Sequence, residues 1–280
     1  MGPEPFKEEP LKAEVALSRK IAYASGGFQN DAFLLANEDQ LLANVSQVTQ
    51  TYPNIQPYFD VAFNTCPWLL RTLEALTFKF SVNSKAEIQF LKAQGISPAN
   101  VAFTAPVKVA SHIKAAVAFN VQLMAFDNSN ELKKIQKAGG CASGAKLLLA
   151  LDSAFTAFAG YPDPEPWLEL LNEAKDLGLD VVGVSIGSSG HFNKMMALAK
   201  MAFTIGQSLG HDMKIVDVGS MHDLDKAELD EAIDKHFRDL QYEIIGHLGA
   251  QFIGNFYSTY YKFFIVYLVP SNQFNFQGTK

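Results

Sequence analysis

The sequence predicts an α/β fold, a closed (β/α)8 barrel, and three observations carry that reading. From Pro57 onward, apolar runs of strand length alternate with helix-length amphipathic segments, the pattern of repeated βα units on a parallel sheet. Eight such units fit into about 190 residues, which a closed barrel accommodates more economically than an open doubly wound sheet. No glycine-rich dinucleotide loop follows an early strand, which counts against a Rossmann arrangement.

Residues 1–27 are polar, with scattered charge and prolines, and form an N-terminal arm. Residues 28–56 hold a short apolar strand at 31–36, then a helix capped by Asn37 with Leu41, Leu42 and Val45 on its apolar side. The barrel is assigned to 57–250, with strands at 58–63, 78–82, 101–103, 121–125, 146–151, 181–186, 214–218 and 242–246. Between them, Trp167, Leu168, Leu170, Leu171, Ala174 and Leu177 recur near helical spacing, and Gly178 is the stop signal. The helix over 224–240 is the most charged and is expected on the outside. Residues 251–280 form an extended C-terminal segment whose stretch 257–269 is aromatic and β-prone, with no partner strand following it. Left uncovered, such a strand invites self-association.

Composition sets bounds on function. Hydrophobic residues at 48% and charged residues at 19% are ordinary for a globular chain of 280 residues and supply a large core. A net charge of −6 with no basic block argues against nucleic-acid or anionic-membrane partners. Two cysteines, Cys66 and Cys141, make neither a disulfide framework nor a metal cluster, and are expected as buried thiols in a reducing compartment. The first twenty residues contain no apolar signal core, so a cytoplasmic location is expected, and the sequon at Asn44 would matter only in a secreted protein. The apolar run 263–269 is too short to span a bilayer.

The stretch Pro57-Tyr58-Phe59-Asp60-Val61-Ala62-Phe63-Asn64 resembles Pro-Phe-Tyr-Ala-Val-Lys-Cys-Asn, the first barrel strand of the ornithine decarboxylase family of pyridoxal-phosphate enzymes. Further blocks at 84–89 (Ser-Lys-Ala-Glu-Ile-Gln), 111–116 (Ser-His-Ile-Lys-Ala-Ala), 180–185 (Asp-Val-Val-Gly-Val-Ser) and 216–219 (Val-Asp-Val-Gly) extend the resemblance to decarboxylases and antizyme inhibitors over about 31–269. The resemblance implies a TIM barrel of the alanine racemase and ornithine decarboxylase type, with the family's C-terminal β-domain largely missing. It also implies that the working residues are gone. The Schiff-base Lys falls at Ala62, the Asp near the pyridine nitrogen at Ser81, the Arg of the fifth strand at Ala150, and the His stacking on the ring at or beside Gly187. The phosphate-binding Gly-Gly-Gly reads Gly219-Ser220-Met221, and Glu-Pro-Gly-Arg reads His247-Leu248-Gly249-Ala250. Glu87 and Gly219 persist. No internal aldimine can form without the Lys, and phosphate loses its donors without the glycines and Arg. A pseudoenzyme without cofactor is expected.

His191, His222 and His247 follow the sixth, seventh and eighth strands and would fall near the barrel mouth, where three histidines can make a metal site. Unrelated loop histidines are the simpler reading. Asp152 and Asp217 at strand ends are either acid–base groups or internal hydrogen-bond partners. The replacements themselves turn polar groups into small ones around one pocket. Either the barrel repacks, with Phe63, Met221 and Leu248 moving inward, or a small, mostly apolar ligand fills the space. Ala62, Ser81, Ala150, Ile186, Gly187, Met221 and Leu248 would line it, with Glu87 or His247 making one polar contact. A third reading is a protein partner: the family's basic antizyme-binding surface maps to Lys85, Lys114, Lys134 and Lys137. A residual decarboxylase is the last alternative.

Overall fold

The computed structural model describes residues 33–105, 107–151, 164–187, 192–221, 224–249, 257–260 and 266–269. The expected N-terminal arm, His191, His222, Asp152 and Ala250 lie outside the described residues. Two compact units form, one including Met1–Val48 and Phe252–Lys280, the other Thr49–Gln251.

In the first unit, β1 (Phe33–Asn37) is the middle strand of three. On one side β10 (Tyr257–Tyr260) runs antiparallel to it, with Phe33 opposite Tyr260; on the other, β11 (Val266–Val269) runs parallel, with Leu34 opposite Val266. The stretch expected as a single extended segment is thus two strands, and β1 satisfies one edge of each. After β1, helix α1 (Glu38–Thr51) begins with Glu38 and Asp39, which suit the positive end of its dipole, and buries Leu41 and Val45.

The second unit is a closed barrel of eight parallel strands in chain order. These are β2 (Ile55–Asp60), β3 (Lys79–Val82), β4 (Val101–Phe103), β5 (Leu123–Phe126), β6 (Lys146–Leu151), β7 (Asp180–Ile186), β8 (Ile215–Ser220) and β9 (Glu243–His247). Closure runs through β2 and β9, with Ile55 opposite Ile244 and Tyr58 opposite His247. That pairing starts the first barrel strand three residues before the expected 58, and Val61–Phe63 instead turn into a short 3-10 helix. The surrounding helices are α2 (Pro67–Ala75), α3 (Lys85–Ala93), α4 (Ala110–Ala118), α5 (Ser129–Lys137), the single turn α6 (Gly140–Ser143), α7 (Glu165–Asp176), α8 (Phe192–Ser208) and α9 (Lys226–Phe237). Trp167, Leu171 and Ala174 form the buried stripe of α7, and Gly178 ends that region at φ +67°, a left-handed conformation that suits glycine. No described helix is long and apolar enough to cross a membrane.

The barrel interior is packed. Tyr58, Ala102, Leu123, Leu148, Val182 and Ile245 form one buried cluster with Ile215 against it, one residue from each of seven strands. Close strand packing at β7 and β8 depends on Gly183, where a Cβ would stand 2.0 Å from the Ile215 carbonyl oxygen. The thiols differ from expectation: Cys66 is half-buried, and Cys141 is exposed, with its Sγ donating to the Leu177 carbonyl. Their places on the Cys66 helix cap and the α6 turn put neither in the core.

Candidate functional site at the end of the barrel

Side chains alternate along a strand, so residues two beyond the interior cluster face the same axis, one layer nearer the strand ends. On β2, β6, β8 and β9 those residues are Asp60, Ala150, Asp217 and His247. Three of the four meet. His247 Nδ1 lies 2.6 Å from Asp60 Oδ1, and its Nε2 faces Asp217 Oδ1 at 3.5 Å with no hydrogen-bond partner of its own. The imidazole stacks on Tyr58, ring centres 6.0 Å apart and planes at 24°. Asp217 is fixed in turn: the Ser185 hydroxyl donates to Oδ2 at 2.7 Å, and the Gly219 amide to Oδ1 at 2.9 Å.

Electrostatics follow from this packing. Burial alone would push the His247 pKa down, but the carboxylates of Asp217 and Asp60 outweigh it and hold the ring protonated, its pKa up at about 10. Burial opposes ionisation of Asp60 too, yet the hydrogen bond and charge of His247, with the Ser81 hydroxyl beside it, keep its carboxyl below the usual value. Burial, then the charges of Asp217 and Glu243, push the Tyr58 phenol up, so it stays neutral.

The residues expected to line a pocket do not share one surface. Ala62 and Gly187 are exposed and Ala150 is half-buried. Ser81, Met221 and Leu248 have no accessible surface and Ile186 has 1%, so no water-sized space touches the first three. Met221 and Leu248 pack inward as the repacking alternative expected, whereas Phe63 stays 53% exposed on its turn. Glu87 is not free for a ligand. It closes a capping box at the start of α3, accepting from the Ser84 hydroxyl at 2.7 Å and the Asn83 amide at 2.8 Å while its own amide donates to Ser84. Ser81 shares a 2.6 Å hydroxyl–hydroxyl bond with Thr104. Among the described residues no group of three or more His, Cys, Asp or Glu is arranged to hold a metal.

The lysines divide as well. Lys85 and Lys114 are exposed and, with Lys92, border a groove of about 400 Å³ between α3 and α4, floored by Ile88, Ala115 and Phe119. Lys137 is exposed on α5. Lys134 is tied down: its Nζ donates to the Lys108 carbonyl at 2.6 Å and pairs with Glu131. Beneath it lies a pair that periodicity does not reveal. Lys108, wholly buried, donates to the Ala105 and Ala125 carbonyls and faces Glu131 at 3.4 Å. Burial pulls its pKa down to about 8, against the Glu131 charge that would raise it.

Comparison with known proteins agrees with the barrel fold. Residues 38–158 match the family described as pyridoxal-dependent decarboxylase, pyridoxal binding domain. The ornithine decarboxylase of Panagrellus redivivus is 32% identical over 201 residues, 68% of this chain and 46% of that protein. The chain belongs to the ornithine decarboxylase family. Another family member, antizyme inhibitor 2 of Xenopus laevis, is 28% identical over 221 residues, 76% of this chain and 48% of its own. Among family structures, the arginine decarboxylase of Paramecium bursaria Chlorella virus superposes with a TM-score of 0.73 at 24% identity, covering 86% of this chain and 70% of that one, a likeness of fold. The chain spans about half the length of the curated relatives it matches. Against the family pattern, the carboxylate that sequence reasoning passed over is Asp60, which stands where the pattern has Ala. The signal was there: an isolated carboxylate inside an apolar strand has to find a partner.

Proposed function

We propose that the chain is a non-catalytic member of the decarboxylase family that acts through a protein partner, in the manner of an antizyme inhibitor. The observation that carries this reading is the groove bordered by Lys85, Lys92 and Lys114, a basic rim over an apolar floor on the outer helices, remote from the barrel mouth. The partner it suits presents acidic side chains around an apolar anchor.

Pyridoxal phosphate does not fit the residues at the mouth. Ala62 has no amine to bond its aldehyde. The Gly219 amide within β8 and the Met221 amide just after it point inward, to Asp217 and to the His247 carbonyl at 3.2 Å, so these two are not free for a phosphate. Among the described residues, two carboxylates against one imidazolium also leave this layer with an excess negative charge, unsuited to a phosphate dianion.

The test has two arms. Purified protein with added pyridoxal phosphate should release no carbon dioxide from ornithine, lysine or arginine; turnover that persists through purification and depends on added cofactor overturns the non-catalytic reading. Antizyme should bind at low salt, and Lys85→Glu with Lys114→Glu should slow association steeply, as rim charges act mainly on encounter. No binding at low salt removes the partner reading.

A second reading rests on a cavity of about 290 Å³ beside Ala150, walled by Trp167 and Leu170 with Asp127, Glu169 and Glu173 around it. It suits a small molecule with an apolar body and a cationic end, more polar than the mostly apolar ligand expected from the replacements. Filling it with Ala150→Phe would abolish any thermal stabilisation by such a ligand; stabilisation that survives places the ligand elsewhere.

A further inference from the structure

We propose that Asp60, His247 and Asp217 form a charge lock that takes the place of a bound group at the end of the barrel, closing it with the chain's own side chains. The inference holds whether or not a partner binds the outer groove.

Asp60 and His247 are 187 residues apart in sequence and touch only because β9 closes on β2. At both positions the chain departs from the pattern quoted above, with Asp in place of Ala and His in place of Glu. Asp60 alone would be buried without a counter-charge, and His247 alone would face Asp217 but leave its Nδ1 without Asp60, so the two changes fit each other. The inherited Asp217 gains most. It is 1% exposed, and Ser185 and Gly219 supply hydrogen bonds but no positive charge. The imidazolium supplies that charge from 3.5 Å.

The layer is packed as well as paired. Leu248 and Met221, next along the chain from this layer, have no accessible surface, and the Met221 amide is bonded to the His247 carbonyl. The Leu248 amide donates to the Tyr58 carbonyl at 3.1 Å, tying the end of β9 to β2. Two further charged groups act on Tyr58, the ring on which the imidazole stacks. Lys79 of β3 lies 5.9 Å over the Tyr58 ring, and Glu243 of β9 acts on the same phenol. Among the described residues, the carboxylates of Asp217 and Asp60 set the charge of the imidazole.

The test uses the full chain. In 15N spectra, assigned by comparison with His247→Gln, the His247 ring should keep both nitrogens protonated from pH 6 to 8.5, across the range in which a free imidazole loses its proton. Asp60→Ala and His247→Ala should each raise the unfolding constant about a hundredfold or more, and the double variant should be no worse than the poorer single. Pyridoxal phosphate at millimolar concentration should leave the melting temperature of the wild-type protein unchanged. A neutral His247 at pH 7.5, additive single effects, or stabilisation of the wild type by pyridoxal phosphate would each overturn the lock. If a single variant does not fold, the wild-type titration decides the matter by itself.

Discussion

Glu131 shows what a buried charge does in this molecule when it is paired. It is 1% exposed and serves three groups at once: the Lys108 amide at 3.1 Å, the Lys108 ammonium and the Lys134 ammonium. Together they anchor the loop before α4, in which Val107 and Val109 face solvent while Lys108 between them turns inward. Removing the carboxylate leaves Lys108 buried among carbonyls with its counter-charge gone. Glu131→Ala is therefore expected to cost about 3–5 kcal/mol in urea unfolding. A loss below about 1 kcal/mol would mean that the loop repacks with Lys108 reaching solvent. Lys134→Ala should cost far less, because its side chain is 31% exposed and water replaces the pair.

At the scale of elements, the starts of α3 and α5 are held by their own side chains. Ser84 and Glu87 cap the first, and Asn128 accepts from the Glu131 amide at 3.0 Å in the second. Glu87→Ala should lower stability by about 1 kcal/mol, the usual worth of a cap, and leave binding at the α3–α4 groove unchanged. Lost binding at unchanged stability would return Glu87 to the list of recognition residues. Among the strands, β7 leaves no room for a Cβ at Gly183 against the Ile215 backbone of β8. Gly183→Ala puts a methyl group against the Ile215 backbone, which cannot move aside as a side-chain tip can, and is expected to destabilise on the order of 3 kcal/mol. Wild-type stability in that variant would show that the two strands slide past each other freely.

Over the whole molecule, two buried cations act on stability in opposite directions as pH rises. His247 keeps its proton in the folded state to about pH 10, whereas the unfolded chain releases it near pH 6.5. The folded state thus binds the extra proton, and stability falls as pH rises from about 6.5 toward 10. Lys108 sheds its proton near pH 8 when folded and near 10.5 when unfolded, so its contribution rises across that interval. Between pH 6.5 and 8 only the first effect operates. Urea unfolding should show stability falling there with a slope approaching about 1.4 kcal/mol per pH unit, and His247→Gln should flatten it. A flat wild-type profile would mean that His247 is neutral in the folded protein.

How much of this was legible in advance depends on the distance over which each feature is determined. The barrel and its helical stripes were readable because strand and helix periods are local, and Gly178 marks a stop by its own conformational freedom. Helix caps were readable in principle, since Ser84 and Glu87 stand three residues apart, although Glu87 was assigned to a ligand on the strength of family resemblance. By itself the sequence determined the fold, the family and the loss of the amine at Ala62. Only the tertiary structure decided which charges meet. Asp60 and His247 become partners through closure of the barrel, Met221 and Leu248 become core instead of pocket wall, and Lys134 is claimed by Glu131 while Lys85 and Lys114 stay free of the core. The physical reason is that periodicity records whether a residue is buried, whereas the energy of a buried charge depends on what lies within a few ångströms of it.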